Sequence, residues 1–374
     1  MDNLKLSIRN YLRKLDFYLV IPCLIASGYG LTLVLAATAT SSRLIARETV
    51  VQAIAIGIGI VAMLIIAAMD LELLTDLWPL IYGVGMLAIL VTILFGYGPT
   101  VSGNHNWLRL GPVSVQPSEF VKLAFILVFA KLLDRVKENI NQPTSLLYLG
   151  AVGGSMLALL AMQGDMGTTL VFLFIAVVMV FCAGLSWRYF AAVGGVVVLA
   201  APVLWNTVLT EYMKNRILYG FRPELDPSDI GFQALQSKIA IGSGQLTGKG
   251  FLKGTQINFL PAGETDFIYA TAGEEFGFFG SMAVLFLLLF ILMRILTQAR
   301  RSSSDVGSLV CMGVFGLYFA QTFENIGMCL ALLPVVGITL PFFSYGGSSM
   351  ISCWCAIGLV LAVNRQRINT LSFD

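Results

Sequence analysis

The sequence predicts an all-α, polytopic integral membrane protein of about ten transmembrane helices. Three observations carry that expectation. Residues are 57% hydrophobic and only 12% charged. Apolar runs of roughly 20 residues, the length that crosses a bilayer core, recur along the chain. Basic residues concentrate in alternate connecting segments, as they do on the cytoplasmic side of membrane proteins. A soluble protein of 374 residues has too little interior to hide this much apolar surface.

The spans are expected at 17–38, 48–69, 77–95, 117–134, 145–161, 168–184, 188–208, 267–297, 307–333 and 346–364, with one large loop at 209–266 between the seventh and eighth. The whole chain, 1–374, reads as a single membrane domain. Lys5, Arg9, Arg13 and Lys14 precede the first run like the basic region of a signal peptide. That run is long for a cleaved signal and further spans follow, so it is read as an uncleaved anchor. A cytoplasmic N-terminus puts Lys131, Arg135, Lys137, Arg188, Arg294, Arg300, Arg301, Arg365 and Arg367 on one side. The opposite short loops keep little beyond Arg43, Arg47 and Arg109. The acidic Asp70–Asp76 turn departs from the pattern, but acids weigh little in the rule.

This topology sends the 96–116, 162–167, 209–266 and 334–345 segments outside, together with Glu119, Asp165 and Asp266. ATP is absent there, so a reaction on that side needs a substrate that arrives activated. Several function classes fall away. The net charge of +2 and the lack of a basic-aromatic cluster give no support to nucleic-acid binding. All six cysteines, Cys23, Cys182, Cys311, Cys329, Cys353 and Cys355, fall in predicted spans, which supports neither a disulfide framework nor a Cys/His metal site. His105 is the sole histidine, which makes Ser-His-Asp chemistry a poor fit.

Asp266 is the most informative residue. It closes the long polar stretch and stands at the mouth of the next apolar helix. A carboxylate at a membrane entrance is costly and so points to function; the competing reading is a helix cap supplied by Thr265 or Asp266. At the start of the fourth span, Pro117 suits a first helical turn, and Glu119 and Lys122, three apart, share a face and can pair. That pair fits either a polar cavity or a structural ion pair. Asp165, in Gln163–Thr168, is a further acid at a helix start, with capping again the competitor.

Within the long loop, Phe232, Leu235 and Ile239 share one helical face opposite Gln233 and Lys238, which predicts a short helix at the membrane surface. Gly242–Gly250 follows, in which successive glycines can turn N–H groups toward an anion and Lys249 adds charge. It is no Walker A loop, because the spacing differs and Gly250 stands where Ser or Thr is needed. Plain turn formation is the alternative. The Leu333–Ser349 segment is apolar but broken by Pro and Gly, a pattern tolerated at membrane depth where backbone is packed in protein or lines a cavity.

Taken in order, Gln116–Glu119, Gln163–Gly167, Gln236–Gly244, Gly248–Gly250, Thr265–Ile268 and Ser344–Ser348 resemble the signatures of the SEDS family (shape, elongation, division and sporulation) from about Trp107 to Arg367. Six motifs in register make the likeness specific. Gly164 and Met166 depart from the family's Pro and Leu, Ala262-Gly263-Glu264 from a commoner Glu-x-His, and Asn106 from a frequent Arg, a contact that Arg109 is a candidate to take over. Gly254-Thr255-Gln256 and Gly184–Arg188 look more like the elongation branch than the division branch.

The resemblance implies a peptidoglycan glycosyltransferase of the bacterial cytoplasmic membrane that polymerises lipid II on the extracytoplasmic face and releases undecaprenyl pyrophosphate. Asp266 matches the family's essential aspartate and is the expected general base. Substrate contacts are expected from Glu119, Lys122, Arg109, Asp165, Arg216, Gln236, Ser237, Lys238, Lys249, Thr255 and Gln256. Lys122, Arg109, Arg216, Lys249 or a divalent cation (Mg or Mn) are the candidates to face the pyrophosphate. Expected partners are a class B penicillin-binding protein, elongation-complex membrane proteins and membrane lipid. A lipid II flippase, a non-enzymatic scaffold and a division or sporulation paralogue are the rival readings. One tension stands: a helix N-terminus lowers an acid's pKa, whereas a general base benefits from a raised one.

Overall fold

The structure is a computed structural model that describes residues 15–39, 45–98, 106–111, 113–207, 209–228 and 231–371. The expectations for Lys5, Arg9, Arg13, Lys14, Arg43 and His105 lie outside the described residues.

The helices follow the apolar runs closely. In chain order they are α1 (Phe17–Thr38), α2 (Arg47–Ala68), the short α3 (Leu71–Asp76), α4 (Trp78–Phe95), α5 (Pro117–Val136), α6 (Pro143–Met162), α7 (Met166–Cys182), α8 (Trp187–Thr207), α9 (Glu211–Phe221), α10 (Phe232–Ser243), α11 (Ile268–Arg301), α12 (Asp305–Cys329) and α13 (Gly347–Leu371). Eight of these are long and apolar enough to cross a membrane, and α7 is a shorter apolar helix of 17 residues. The 20-residue α5 carries Glu119, Lys122, Lys131, Asp134 and Arg135, and it packs inside the bundle. These ten helices match the ten expected spans. The ninth ends earlier than expected, at Cys329 rather than 333, because the chain turns through Ala331 with φ 55°.

Helix α12 occupies the centre, against α5, α7, α11 and α13, while α13 lies along α2. The apolar effect that drives soluble cores is weak between lipid-solvated helices, so close packing must substitute for it. Gly313 and Gly316 let α12 approach Ile126 of α5 and Ile175 of α7. Phe342 stands edge-on to Trp354 and Tyr318, and the Tyr318 hydroxyl donates to the Cys353 carbonyl at 2.6 Å. By contrast, α8 has no buried residue in its membrane-length stretch. Its Val193, Val196–Leu199 and Val203 are exposed, as lipid-facing side chains would be.

Polar contacts separate cleanly between the two ends of the bundle. At one end Lys131 pairs with Asp76 at 2.7 Å, Lys137 pairs with Asp305, and Arg294 grips both oxygens of Asp16 at 2.7 and 2.9 Å. Arg365 there donates to the Met69 carbonyl at 2.8 Å. The basic residues expected on one side thus meet at one end, and Asp76 of the acidic turn that broke the charge pattern is the partner of Lys131.

The opposite end gathers the long connections, and two expectations change there. The 96–116 segment is not plain loop: Leu108–Leu110 and Val113–Val115 pair as an antiparallel hairpin, with Leu108 opposite Val115, and Tyr97 bridges Trp107. Strands of three residues are too short to leave a period in the sequence. Helix α10 forms as expected, but its packing face is Ala234, Ser237 and Ala240, while Ile239 is exposed. Small residues win the contact because α10 lies tightly on α11.

Candidate active site

Asp266 belongs to a tight turn just before α11. The helix is capped at Phe267 with no side-chain hydrogen bond, so neither Thr265 nor Asp266 is its cap. The Asp266 carboxylate instead accepts no hydrogen bond among the described residues, and it is only half-buried. Its surroundings lift its pKa from 3.8 to about 6, first through removal from water, then through the charges of Glu264 and Asp165. The tension in the sequence disappears, because the missing cap leaves desolvation and like charge to act unopposed.

The backbone beneath this carboxylate is held at every step. The Gly263 carbonyl accepts from Thr271 Oγ1 at 3.0 Å, and Glu264 from the Tyr345 amide at 2.8 Å. The Thr265 carbonyl accepts from Ser344 Oγ at 2.5 Å, and Asp266 from Asn325 Nδ2 at 2.7 Å. Four consecutive carbonyls are therefore tied to α11, α12 and the loop before α13. That loop is itself anchored: Gln52 Nε2 donates to the Ser344 carbonyl at 2.9 Å and Gln52 Oε1 accepts from the Gly346 amide at 3.1 Å. Gly337, at φ 74°, brings bare backbone beside the acid, since a Cβ there would lie 3.3 Å from Asp266 Oδ2. Tyr345 stands in the field of Glu48, Arg47 and Glu264, and burial raises its phenol pKa.

Asp165 caps α7, accepting from the Thr168 amide at 3.0 Å and its hydroxyl at 2.8 Å. Asn106 Nδ2 donates to the same carboxylate at 2.9 Å. Arg109 is exposed on the hairpin, opposite Ser114. Asp165 nonetheless acts on Asp266 through its charge. Glu119 and Lys122 pair at 2.7 Å, 6% and 2% exposed. Their turn is fixed to α13 by Ser352 Oγ on the Glu119 carbonyl at 2.6 Å and by the Gln116 amide on Ser348 Oγ at 3.1 Å.

The glycine-rich loop packs its backbone against α11. Helix α11 is broken at Gly277, whose φ of 65° and ψ of −156° suit only glycine. The break strands the carbonyls of Glu274 and Glu275 and the amides of Phe278 and Phe279. The loop takes all four: Lys249 and Gly250 donate to the two carbonyls at 2.9 and 3.0 Å, and Gln245 and Leu246 accept from the two amides at 2.8 and 3.2 Å. The Gly248 amide bonds Gly244 at 2.8 Å. These N–H groups are spent on backbone carbonyls, which favours the turn-forming reading of Gly242–Gly250 over the anion-binding one.

Sequence reasoning missed the residues that organise this region, Glu274 and Glu275, both fully buried. Glu274 accepts from the amides of Thr255, Gln256 and Ile257, each at 2.8 Å, and from Lys249 Nζ at 2.5 Å. Glu275 accepts from the Gly254 amide at 2.9 Å. Lys249, Thr255 and Gln256 are thus parts of one carboxylate cradle, and the charge of Lys249 is already balanced. Two adjacent acids in an apolar stretch were the available signal. Ser237 is buried with its hydroxyl on the Cys329 carbonyl at 2.8 Å, and Lys238 pairs with exposed Glu224 at 2.7 Å. Gln236 is half-buried on α10, and the Arg216 side chain lies outside the described residues. Among the described residues no group of three or more His, Cys, Asp or Glu could hold a metal ion.

With this geometry in view, comparison with known proteins is decisive. The family described as cell cycle protein, comprising FtsW, RodA and SpoVE, matches residues 17–369. The chain belongs to the FtsW/RodA/SpoVE family. This is the SEDS family anticipated from the motifs. Among its members, the peptidoglycan glycosyltransferase MrdB of Escherichia coli (strain K12) is 35% identical over 322 residues, 83% of this chain and 84% of that one. Stage V sporulation protein E of Bacillus subtilis (strain 168) is 34% identical over 367 residues, 94% of this chain and 97% of that one. The crystal structure of the Thermus thermophilus rod shape determining protein RodA superposes with a TM-score of 0.70 at 28% identity, covering 94% of this chain and 97% of that one. A chain of a peptidoglycan synthase complex that coordinates polymerization and crosslinking superposes with a TM-score of 0.82 at 28% identity, covering 94% and 98%. The SEDS fold accounts for the bundle from α1 to α13.

Proposed function

We propose that this SEDS protein is a peptidoglycan glycosyltransferase that joins lipid II units into glycan strands, with Asp266 as general base. Relatives that carry the glycosyltransferase name support the activity. The observation that supports the base is the Asp266 carboxylate itself: partly withdrawn from water, without a hydrogen bond among the described residues, held on a clamped backbone and with a pKa near 6. A base works best when its pKa approaches the working pH.

In the proposed reaction the 4-hydroxyl of an acceptor GlcNAc attacks the anomeric carbon of a donor MurNAc with inversion. The C–O bond to undecaprenyl pyrophosphate breaks as the new glycosidic bond forms, and Asp266 receives the hydroxyl proton. The reacting face is the loop-rich end, opposite the basic end, which the positive-inside rule puts in the cytoplasm. Positive charge for the departing pyrophosphate is sought from Arg109, Arg216 and the Lys122 of the buried pair; Lys249 and Lys238 already serve carboxylates. No step is assigned to a metal ion. A class B penicillin-binding protein as partner is supported by the likeness to a chain of a synthase complex. MrdB, FtsW and SpoVE relatives are all between 34 and 36% identical to the chain, so the elongation role rests on Gly254-Thr255-Gln256 and Gly184–Arg188.

The deciding experiment is lipid II polymerisation by purified Asp266→Asn protein. Loss of a general base costs about 10²–10⁴-fold, so glycan strands should vanish from a gel while expression and association with the penicillin-binding protein persist. Polymerisation at the wild-type rate would eliminate Asp266 as base.

A further inference from the structure

We propose that Asn325 is a positioning residue for Asp266, fixing the backbone that carries the carboxylate to the opposite wall of the site. The inference rests on the reading of Asp266 as base. Asn325 lies in α12, a helix of membrane length, and is 0% exposed. Packing alone would be served there by leucine, and a carboxamide in such surroundings needs its partners.

All its capacity is used. Nδ2 donates to the Asp266 carbonyl at 2.7 Å and to the Ile338 carbonyl at 2.6 Å. Oδ1 faces the Cys329 thiol at 3.9 Å, a weak contact, and the same thiol lies 3.7 Å from the Asp266 carbonyl. Both strong partners are acceptors, so the amide has one usable orientation. Reversing it would set oxygen against two carbonyls.

The two carbonyls belong to separate segments, the Asp266 turn and the loop after Gly337. One is Asp266's own; the other follows Gly337, whose backbone borders Asp266 Oδ2. One side chain therefore sets the span between the base and the backbone it faces. The other charged or titratable neighbours are Glu264 on the same turn, Asp165 at the start of α7 and Cys329 on α12, with Tyr345, Arg47 and Glu48 beyond Glu264. None of these holds the Asp266 backbone by a side-chain hydrogen bond except the thiol. A misplacement of about 1 Å at a reacting group costs on the order of 10²-fold.

The test compares wild type, Asn325→Leu and Asn325→Asp as purified full-length protein, reading kcat, KM for lipid II, the pH profile of kcat and the unfolding temperature. Asn325→Asp has the same shape and carries the test should Asn325→Leu fail to fold. A positioning role predicts a kcat about 10–100-fold lower with KM within about twofold. It also predicts, in Asn325→Leu, an acid limb moved from near 6 toward the ordinary aspartate value of about 4, as the loosened turn admits water, whereas the added carboxyl of Asn325→Asp, a like charge beside Asp266, moves the limb upward. A wild-type kcat and acid limb in a folded variant overturns the proposal. So does a raised KM and lowered unfolding temperature with the acid limb in place, which marks a merely structural residue. Asp266→Asn run in parallel separates the readings: if it still polymerises, the base assignment fails; if it is inactive while the Asn325 variants match wild type, only the positioning role fails.

Discussion

Lys122 Nζ lies 2.7 Å from Glu119 Oε1 at the start of α5, with both side chains withdrawn from solvent. Desolvation offsets much of such a pair's attraction, but removing one partner strands the other, at about 3–5 kcal/mol. Lys122→Met alone should therefore lower the unfolding temperature more than the Glu119→Gln/Lys122→Met double substitution. If the pair also serves substrate, the double variant will fold yet polymerise lipid II poorly. Full turnover by a well-folded double variant would restrict the pair to a structural role.

The raised pKa of Asp266 fixes the acid side of the pH profile. A base must be ionised to accept a proton, so turnover should fall as pH drops through about 6. Stability carries the opposite sign. An acid whose folded pKa exceeds its unfolded value destabilises the fold above the folded pKa, and this penalty disappears below the unfolded value near 4. Asp266→Asn should thus unfold at a higher temperature than wild type at pH 8, with the difference shrinking toward pH 4. A variant less stable than wild type at pH 8 would contradict the open, uncapped carboxylate.

Gly277 and Gly248 meet at the break in α11. A Cβ on Gly277 would lie 2.3 Å from the Gly248 nitrogen, and its backbone conformation already excludes other residues. Gly277→Ala should cost roughly 3 kcal/mol or more, the sum of about 1–3 for strain and a comparable overlap penalty. Thermal unfolding in detergent measures it, and a neutral result would mean that the loop yields without loss.

Orientation is open to labelling. A cysteine at Ser228, in the long loop, should react with an impermeant thiol reagent in intact cells, whereas one at Ser303, beside the Lys137–Asp305 pair, should be protected. The reverse pattern would invert the topology and move Asp266 to the ATP side.

The membrane made the spans legible. A helix that must cross about 30 Å of hydrocarbon needs some 20 apolar residues, and the first run, 17–38, coincides with α1. Asp266 was equally visible, as an acid where an acid is costly. Its support was not, because Asn325, Ser344 and Tyr345 lie 59, 78 and 79 residues away and each reads locally as an ordinary polar residue. A separation of 25 residues likewise hid the partnership of Lys249 with Glu274, which turned an apparent phosphate ligand into the counter-ion of a buried carboxylate. On α10 the bulky residues drew attention, while close approach to α11 selected the small ones.

The four bonds exchanged at Gly277 make the outermost turns of α11 a composite of two chain segments. Residues 268–276 close their helical end through the amides of Lys249 and Gly250, while the Gln245 amide also closes α10 on the Gly242 carbonyl. The two therefore open and close as one cooperative unit, with amide exchange protection in common. Asp266 sits two residues before that unit. Its placement thus depends on the folding history of the large loop as well as on the helix it precedes, and a perturbation at Lys249 or Gly250 is transmitted to the base without touching it.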